Sequence, residues 1–153
     1  LLSFNYGMKD KKRSLDCIKY GILDTFIVTL IITVVFEIAA NPLSKLFALS
    51  GASTKDLIPV CEKATRIASI GYIFMGFSVA VQGGLQALRY AFKPFFTALL
   101  RLVIFVFPVA YLFTLSANVM NIVWLTFPIA EFLTAVVSFF MLKNVIKNKI
   151  ETL

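Results

Sequence analysis

Glu131 interrupts the apolar run "FPIAEFLTAVVSFFM" (127–141), and Arg101 interrupts "FFTALLRLVIFVFPVAYLF" (95–113). A charge left alone at bilayer depth costs about 2.5–3.5 kcal/mol on the gentlest scale and far more on others. A carboxylate there has two uses. It can take up a proton or hold a cation, with a nearby base balancing it between times. Otherwise it is a structural salt bridge, with the arginine stem free to snorkel to the interface. At roughly 1.5 Å per residue, Glu131 sits near the midplane of its span. Arg101, on the preceding span, lies within an arginine side chain's reach of that depth. Both uses stay open.

These residues need a membrane bundle to hold them. The chain has 153 residues, of which 59% are hydrophobic and only 15% charged, against the quarter usual in soluble domains. A soluble core of this size cannot bury so much apolar surface. A bilayer core of about 30 Å takes roughly 20 helical residues, and the spacing predicts four spans, over 21–40, 67–88, 94–115 and 122–142. The β-branched run "FIVTLIITVVF" would suit a strand in water. In lipid a lone strand leaves its backbone unpaired, so helix is expected. The fold class is thus an all-α integral membrane protein, a polytopic helix bundle. Leu1 to Tyr6 reads as the tail of an earlier helix, so the chain reads as the C-terminal end of a larger protein.

Charge placement predicts the orientation. "KDKKRSLDCIK", "RYAFK" and "KNVIKNK" hold most of the Lys and Arg. By the positive-inside rule the basic loop that follows the helix end within 1–20, the loop 89–93 and the tail 143–153 are cytoplasmic. The stretch 41–66 and the turn 116–121 then face outward. Within 41–66, "PLSKLFAL" is amphipathic and suits the membrane surface, and "GASTKD" reads as a turn with a helix cap. Cys17 and Cys61 fall on opposite sides, which forbids a disulfide between them.

Other residues have two readings each. Pro108 and Pro128 lie inside spans, where each removes a backbone donor and frees the carbonyl of Ile104 or Trp124. Either is a hinge or a static kink. Gln82 and Gln86 share a helix face among small residues in "GYIFMGFSVAVQGGLQAL". They line a substrate cavity or tie helices together. Asp24 and Glu37 fall near the interfaces, where charge is cheap. The Phe-rich spans suit greasy cations or simply lipid. The chain contains no histidine, no zinc spacing, no nucleophile motif and no phosphate-binding Gly-rich loop. No metal, no catalytic residue and no nucleic-acid partner is expected, and the basic stretches are explained by orientation.

"LLSFNYGMKDKKR" resembles the end of the eighth helix and following loop of the multidrug and toxic compound extrusion (MATE) family, where "S-[FY]-N-Y-G" is typical. "GGLQALRYAFKPF" is similar to that family's helix-ten exit, and "LLRLVIFVFPVAYLF" and "IVWLTFPIAEFLT" to its last two helices. The resemblance implies that the four spans are helices nine to twelve of twelve, within the C-terminal six-helix lobe. It implies a multidrug antiporter of the cell inner membrane, with a cytoplasmic C-terminus. H⁺ or Na⁺ would be the coupling ion, with no other cofactor. The partners would be small amphipathic or cationic drugs, membrane lipid and the upstream part of the same protein. Asn5 and Tyr6 match the "S-[FY]-N-Y-G" phrase as cavity or loop residues, and Glu131 matches "P-[IL]-[AS]-E" of helix twelve. Three departures stand out. Arg89 and Tyr90 replace a glycine-bearing turn, Leu102 stands where glutamine is common, and 67–88 carries no acid, so one branch's cation site does not transfer. A lipid-linked sugar flippase of the same superfamily is the alternative, though Arg101 alone is little charge for a pyrophosphate. A non-transporting scaffold, in which Glu131 only pairs helices, is the reading from another class.

Overall fold

The computed structural model describes residues 1–49 and 57–153, and every regular element among them is helical. Helix α1 (Leu2–Gly7) turns into the long α2 (Lys11–Leu49), and α3 (Leu57–Ala87) follows. The next span is built from α4 (Phe92–Leu99), a π-helical stretch (Leu100–Val106) and α5 (Phe107–Thr114). The last comprises α6 (Val119–Ile122), a 3₁₀ turn (Val123–Leu125), α7 (Thr126–Val145) and a π-helical end (Ile146–Ile150). Four of these runs are long and apolar enough to cross a membrane: Lys11–Phe47, Leu57–Ala87, Phe92–Thr114 and Val119–Ile150. The chain is an all-α polytopic membrane bundle.

The side chains are arranged as in lipid rather than in water. Ile27, Val28, Ile31, Val34, Val35 and Ile38 of α2 all face outward. Inside, the fully buried positions include Ser69, Ser78, Thr97, Ala130, Thr134 and Ser138. Small residues at helix seams let backbones approach, and large apolar ones cost nothing against lipid tails. A larger apolar cluster closes one end of the bundle, where Ile18, Val81, Leu85, Leu142 and Val145 meet.

Helix α3 is the central element, packed on α2 along one face and α7 along another. Two glycines set these approaches. A Cβ on Gly76 would overlap the Thr29 side chain of α2, and one on Gly71 would stand 3.2 Å from the Pro128 Cα of α7. The contacts at 29–76 and 41–62 make α2 and α3 antiparallel. The α4–π–α5 span packs on α7.

Several expectations about boundaries are corrected. Residues 41–49, expected to leave the membrane as a surface segment, continue α2 through Pro42. The following helix begins at Leu57, in keeping with a start expected near Asp56 or Leu57 and with a helix entry ahead of the span at 67–88. The expected turn and cap over Gly51–Asp56 lie outside the described residues. Pro128 is not a kink within a continuous helix. It falls in the first turn of α7, after the 3₁₀ turn, where a missing N–H costs little. Pro108 has its effect upstream: the turn before it is π-helical, and the Phe107 N–H donates to the Leu102 carbonyl, five residues back.

Two helix ends are strained in the same way. Lys9 has φ 58° and Arg89 has φ 64°, the left-handed region where a side chain costs about 1–2 kcal/mol. At α3 the Arg89 N–H donates to Gln86 O and the Tyr90 N–H to Leu85 O, both 2.9 Å. That pattern is a Schellman cap, which normally places glycine at the left-handed position.

Candidate functional site

The π-helical stretch carries Arg101 onto the face of α7. There its Nη1 lies 3.5 Å from Glu131 Oε1. The gap is long for a charged hydrogen bond, which favours about 2.7–2.9 Å. The second oxygen, Oε2, is buried and has no hydrogen-bond partner. The glutamate side chain is 15% exposed and the arginine 25%. So a carboxylate one turn into α7 is held by one cation on one side only.

What faces it is apolar and aromatic. A cavity of about 310 Å³ is lined by Ala68, Gly71, Tyr72, Met75, Phe127 and Glu131. Gly71 creates the room, since a Cβ there would stand 3.6 Å from Glu131 Cγ. Phe74 and Phe132 meet edge to face below, with centroids 5.3 Å apart, which pins α3 against α7. Pro128 lies one turn before Glu131 and abuts Gly71, so the 3₁₀-to-α transition also positions the carboxylate.

The remaining candidates do not join this cavity. Gln82 is half-buried and Gln86 exposed, near the far end of α3. Asn5 is buried and its Nδ2 donates to Cys17 Sγ at 3.2 Å. It lines a separate hollow of about 450 Å³ with Arg13, Asp16, Tyr20 and Asp24. Tyr6 lines another at the basic end. Cys17 and Cys61 are both free thiols.

A polar seam between α2 and α3 has no counterpart among the sequence expectations. Ser69 Oγ donates to Glu37 Oε1 at 2.7 Å, and Arg66 Nη1 reaches Glu37 Oε2 at 3.2 Å. Arg66 Nη2 also meets Glu62 Oε1 at 2.9 Å, while Asn41 Nδ2 donates to Glu62 Oε2 at 2.8 Å. The signal was the spacing of four in Thr25, Thr29, Thr33, Glu37 and Asn41, which puts one polar stripe along α2. The β-branched residues between them hid it.

The MatE family model matches residues 1–112, nearly three-quarters of the chain. The chain belongs to the MatE family. It is therefore part of a transporter of the MATE superfamily. The matched region includes Arg101 and all of α3, while Glu131 lies beyond it. No curated protein and no solved structure matches the chain.

Proposed function

We propose that this chain belongs to a secondary active antiporter that exchanges H⁺ or Na⁺ for amphipathic, often cationic, xenobiotics across the cytoplasmic membrane. Its basic end and C-terminal tail face the cytoplasm, and Glu131 is the coupling group. One observation carries the reading. Glu131 lines a cavity bordered by Tyr72, Met75 and Phe127, and one of its carboxylate oxygens is buried without a hydrogen-bond partner. That oxygen is open to a proton or a cation, and the aromatic rings suit an organic cation's body.

Arg101 is the counter-charge. With Glu131 ionised and unoccupied, the guanidinium balances it across 3.5 Å. When a proton or cation takes the carboxylate, the arginine loses its partner and the local charge rises by one. At an effective dielectric of about 20, a unit charge at about 4 Å is worth about 4 kcal/mol. Coupling between two ligands typically needs about 1–3 kcal/mol. The change therefore suffices to bias two conformations, provided the ion binds them unequally. The role is transport, with no chemical step assigned to any residue.

The test is ethidium efflux from cells expressing the full-length protein, wild type against Glu131→Gln at matched membrane abundance. Sodium and pH gradients are varied separately. The variant is expected to be abundant and inactive, and the gradient that drives wild type names the ion. Normal efflux by the variant makes Glu131 a bracing residue. Absence of efflux by wild type under both gradients removes the drug-exporter reading.

A further inference from the structure

At the basic end of the bundle, a cavity of about 430 Å³ opens between α1, the end of α3 and the C-terminal tail. Ser3, Tyr6, Leu88, Arg89, Tyr90 and Lys149 line it. Lys93 Nζ stands 4.0 Å above the centre of the Tyr90 ring, and Lys149 Nζ approaches the same ring at 5.9 Å. Among the described residues Arg89, Lys93 and Lys149 take part in no ion pair, although every other arginine does. The nearest tail contact to an acid residue, Lys11 Nζ to Glu151 at 3.3 Å, uses the backbone oxygen. Two cations, Arg89 and Lys149, thus line one cavity, Lys93 sits over the ring of the lining Tyr90, and none of the three is held in an ion pair among the described residues.

Arg89 holds its place against its own backbone. It occupies the left-handed cap position, where glycine is the unstrained choice. The helix dipole does not explain that, because a cation elsewhere in the last turn would serve it equally. The segments that line the cavity, and the helix that follows them, also carry exposed apolar side chains. Phe92 is 85% exposed, and Phe95 and Phe96 of α4 and Phe4 and Met8 of α1 are exposed as well. Cations over a cavity with aromatic rings beside it match a phosphodiester above an acyl chain. A soluble anion would use only the cations.

We propose that this cavity binds the phosphate headgroup of an anionic membrane lipid. Arg89 and Lys149 contact the phosphate, Tyr90 carries the lysines that flank it, and the α4 phenylalanines lie along the acyl chain. Basic pockets between membrane helices are suited to such headgroups. The site is separate from Glu131 and independent of what the protein transports.

The test is native mass spectrometry of the purified full-length protein, titrated with phosphatidylglycerol or phosphatidylcholine, with inorganic phosphate as competitor. The variants are Arg89→Gly, Lys149→Gln and, as a tail cation outside the cavity, Lys147→Gln. Wild type should retain phosphatidylglycerol over phosphatidylcholine. Arg89→Gly and Lys149→Gln should each weaken that retention about fivefold, the worth of one basic residue at an anionic surface. Lys147→Gln should leave it unchanged. Arg89→Gly relieves the strained cap, so a melting temperature at or above wild type separates lost binding from lost fold. Equal retention of both lipids overturns the proposal, as does equal loss with Lys147→Gln or unchanged retention in both cavity variants. Displacement of lipid by millimolar phosphate also overturns it, in favour of a soluble-anion site.

Discussion

Two places in this bundle bring carboxylates and an arginine together within helices, and they are built differently. In the α2–α3 seam each oxygen of Glu37 and Glu62 has a partner, drawn from Arg66, Ser69 and Asn41. At the α7 site, Glu131 has one distant cation and one buried oxygen without a hydrogen-bond partner. A satisfied network rigidifies its surroundings, whereas a half-satisfied one is a liability unless a ligand completes it. On the function proposed above, the seam is scaffold and the α7 carboxylate is the poised group. The difference lies not in residue type, which is the same, but in how many partners the neighbouring helix supplies.

Each region also has its glycine, and these offer the strongest perturbation. Gly76→Leu would drive a side chain into Thr29, at the middle of the seam. Overpacking of this kind costs about 1–3 kcal/mol. The expected result is a lower melting temperature and reduced membrane abundance of the full-length protein. Gly71→Ala meets the Pro128 backbone at 3.2 Å, which asks for a shift of tenths of an ångström. It should be tolerated in abundance yet impair efflux, because it moves the helix start that aims Glu131. If Gly71→Ala destabilises as much as Gly76→Leu while sparing efflux, the two regions are not distinct.

Next in size is Ser69→Ala. It removes the hydroxyl that donates to Glu37 at 2.7 Å, from a position with no exposure. Hydrogen bonds between membrane helices average about 0.6 kcal/mol and reach about 1.7, and this one goes to a carboxylate. A loss toward the upper figure is expected in thermal unfolding, with efflux per folded molecule retained. Glu131→Gln should do the reverse, changing the melting temperature less than Ser69→Ala while abolishing efflux. A larger thermal loss in Glu131→Gln would make the α7 pair scaffold too.

How much of this was legible in the sequence follows from the same contrast. Glu131 and Arg101 announce themselves because each is a lone charge in an apolar run, and helical rise alone places them at neighbouring depths. The four spans follow from length and hydropathy. The seam is not legible, because Glu37 lies near a span end, where charge is cheap, and its partners come from residues 62 to 69 at the entry of the next helix, whose facing side the sequence does not fix. Boundaries drifted there because amphipathic segments with a proline look like interface, yet Pro42 is accommodated within α2. The π-helical turn at Arg101 left no sign beyond Pro108, since residue types do not distinguish a five-residue hydrogen bond from a four-residue one. The cavity at Glu131 depends on Gly71, whose small size was noted as packing and not as room.

The smallest expected effect tests what in the seam matters. Thr33 Oγ1 donates to Thr29 O at 2.8 Å and lies 3.3 Å from Ser69 O on α3. Thr29 Oγ1 in turn donates to Thr25 O at 2.8 Å. These hydroxyls mostly return to their own helix, one turn back, and such bonds add little to packing between helices. Thr33→Val keeps the side-chain shape and removes only the hydroxyl, so a change of about 0.5 kcal/mol or less is expected in thermal unfolding. Both carbonyls it leaves keep their place in helical backbone. If Thr33→Val instead equals Ser69→Ala, the threonine ladder itself joins α2 to α3. The carboxylates would then be guests of the seam rather than its clasp.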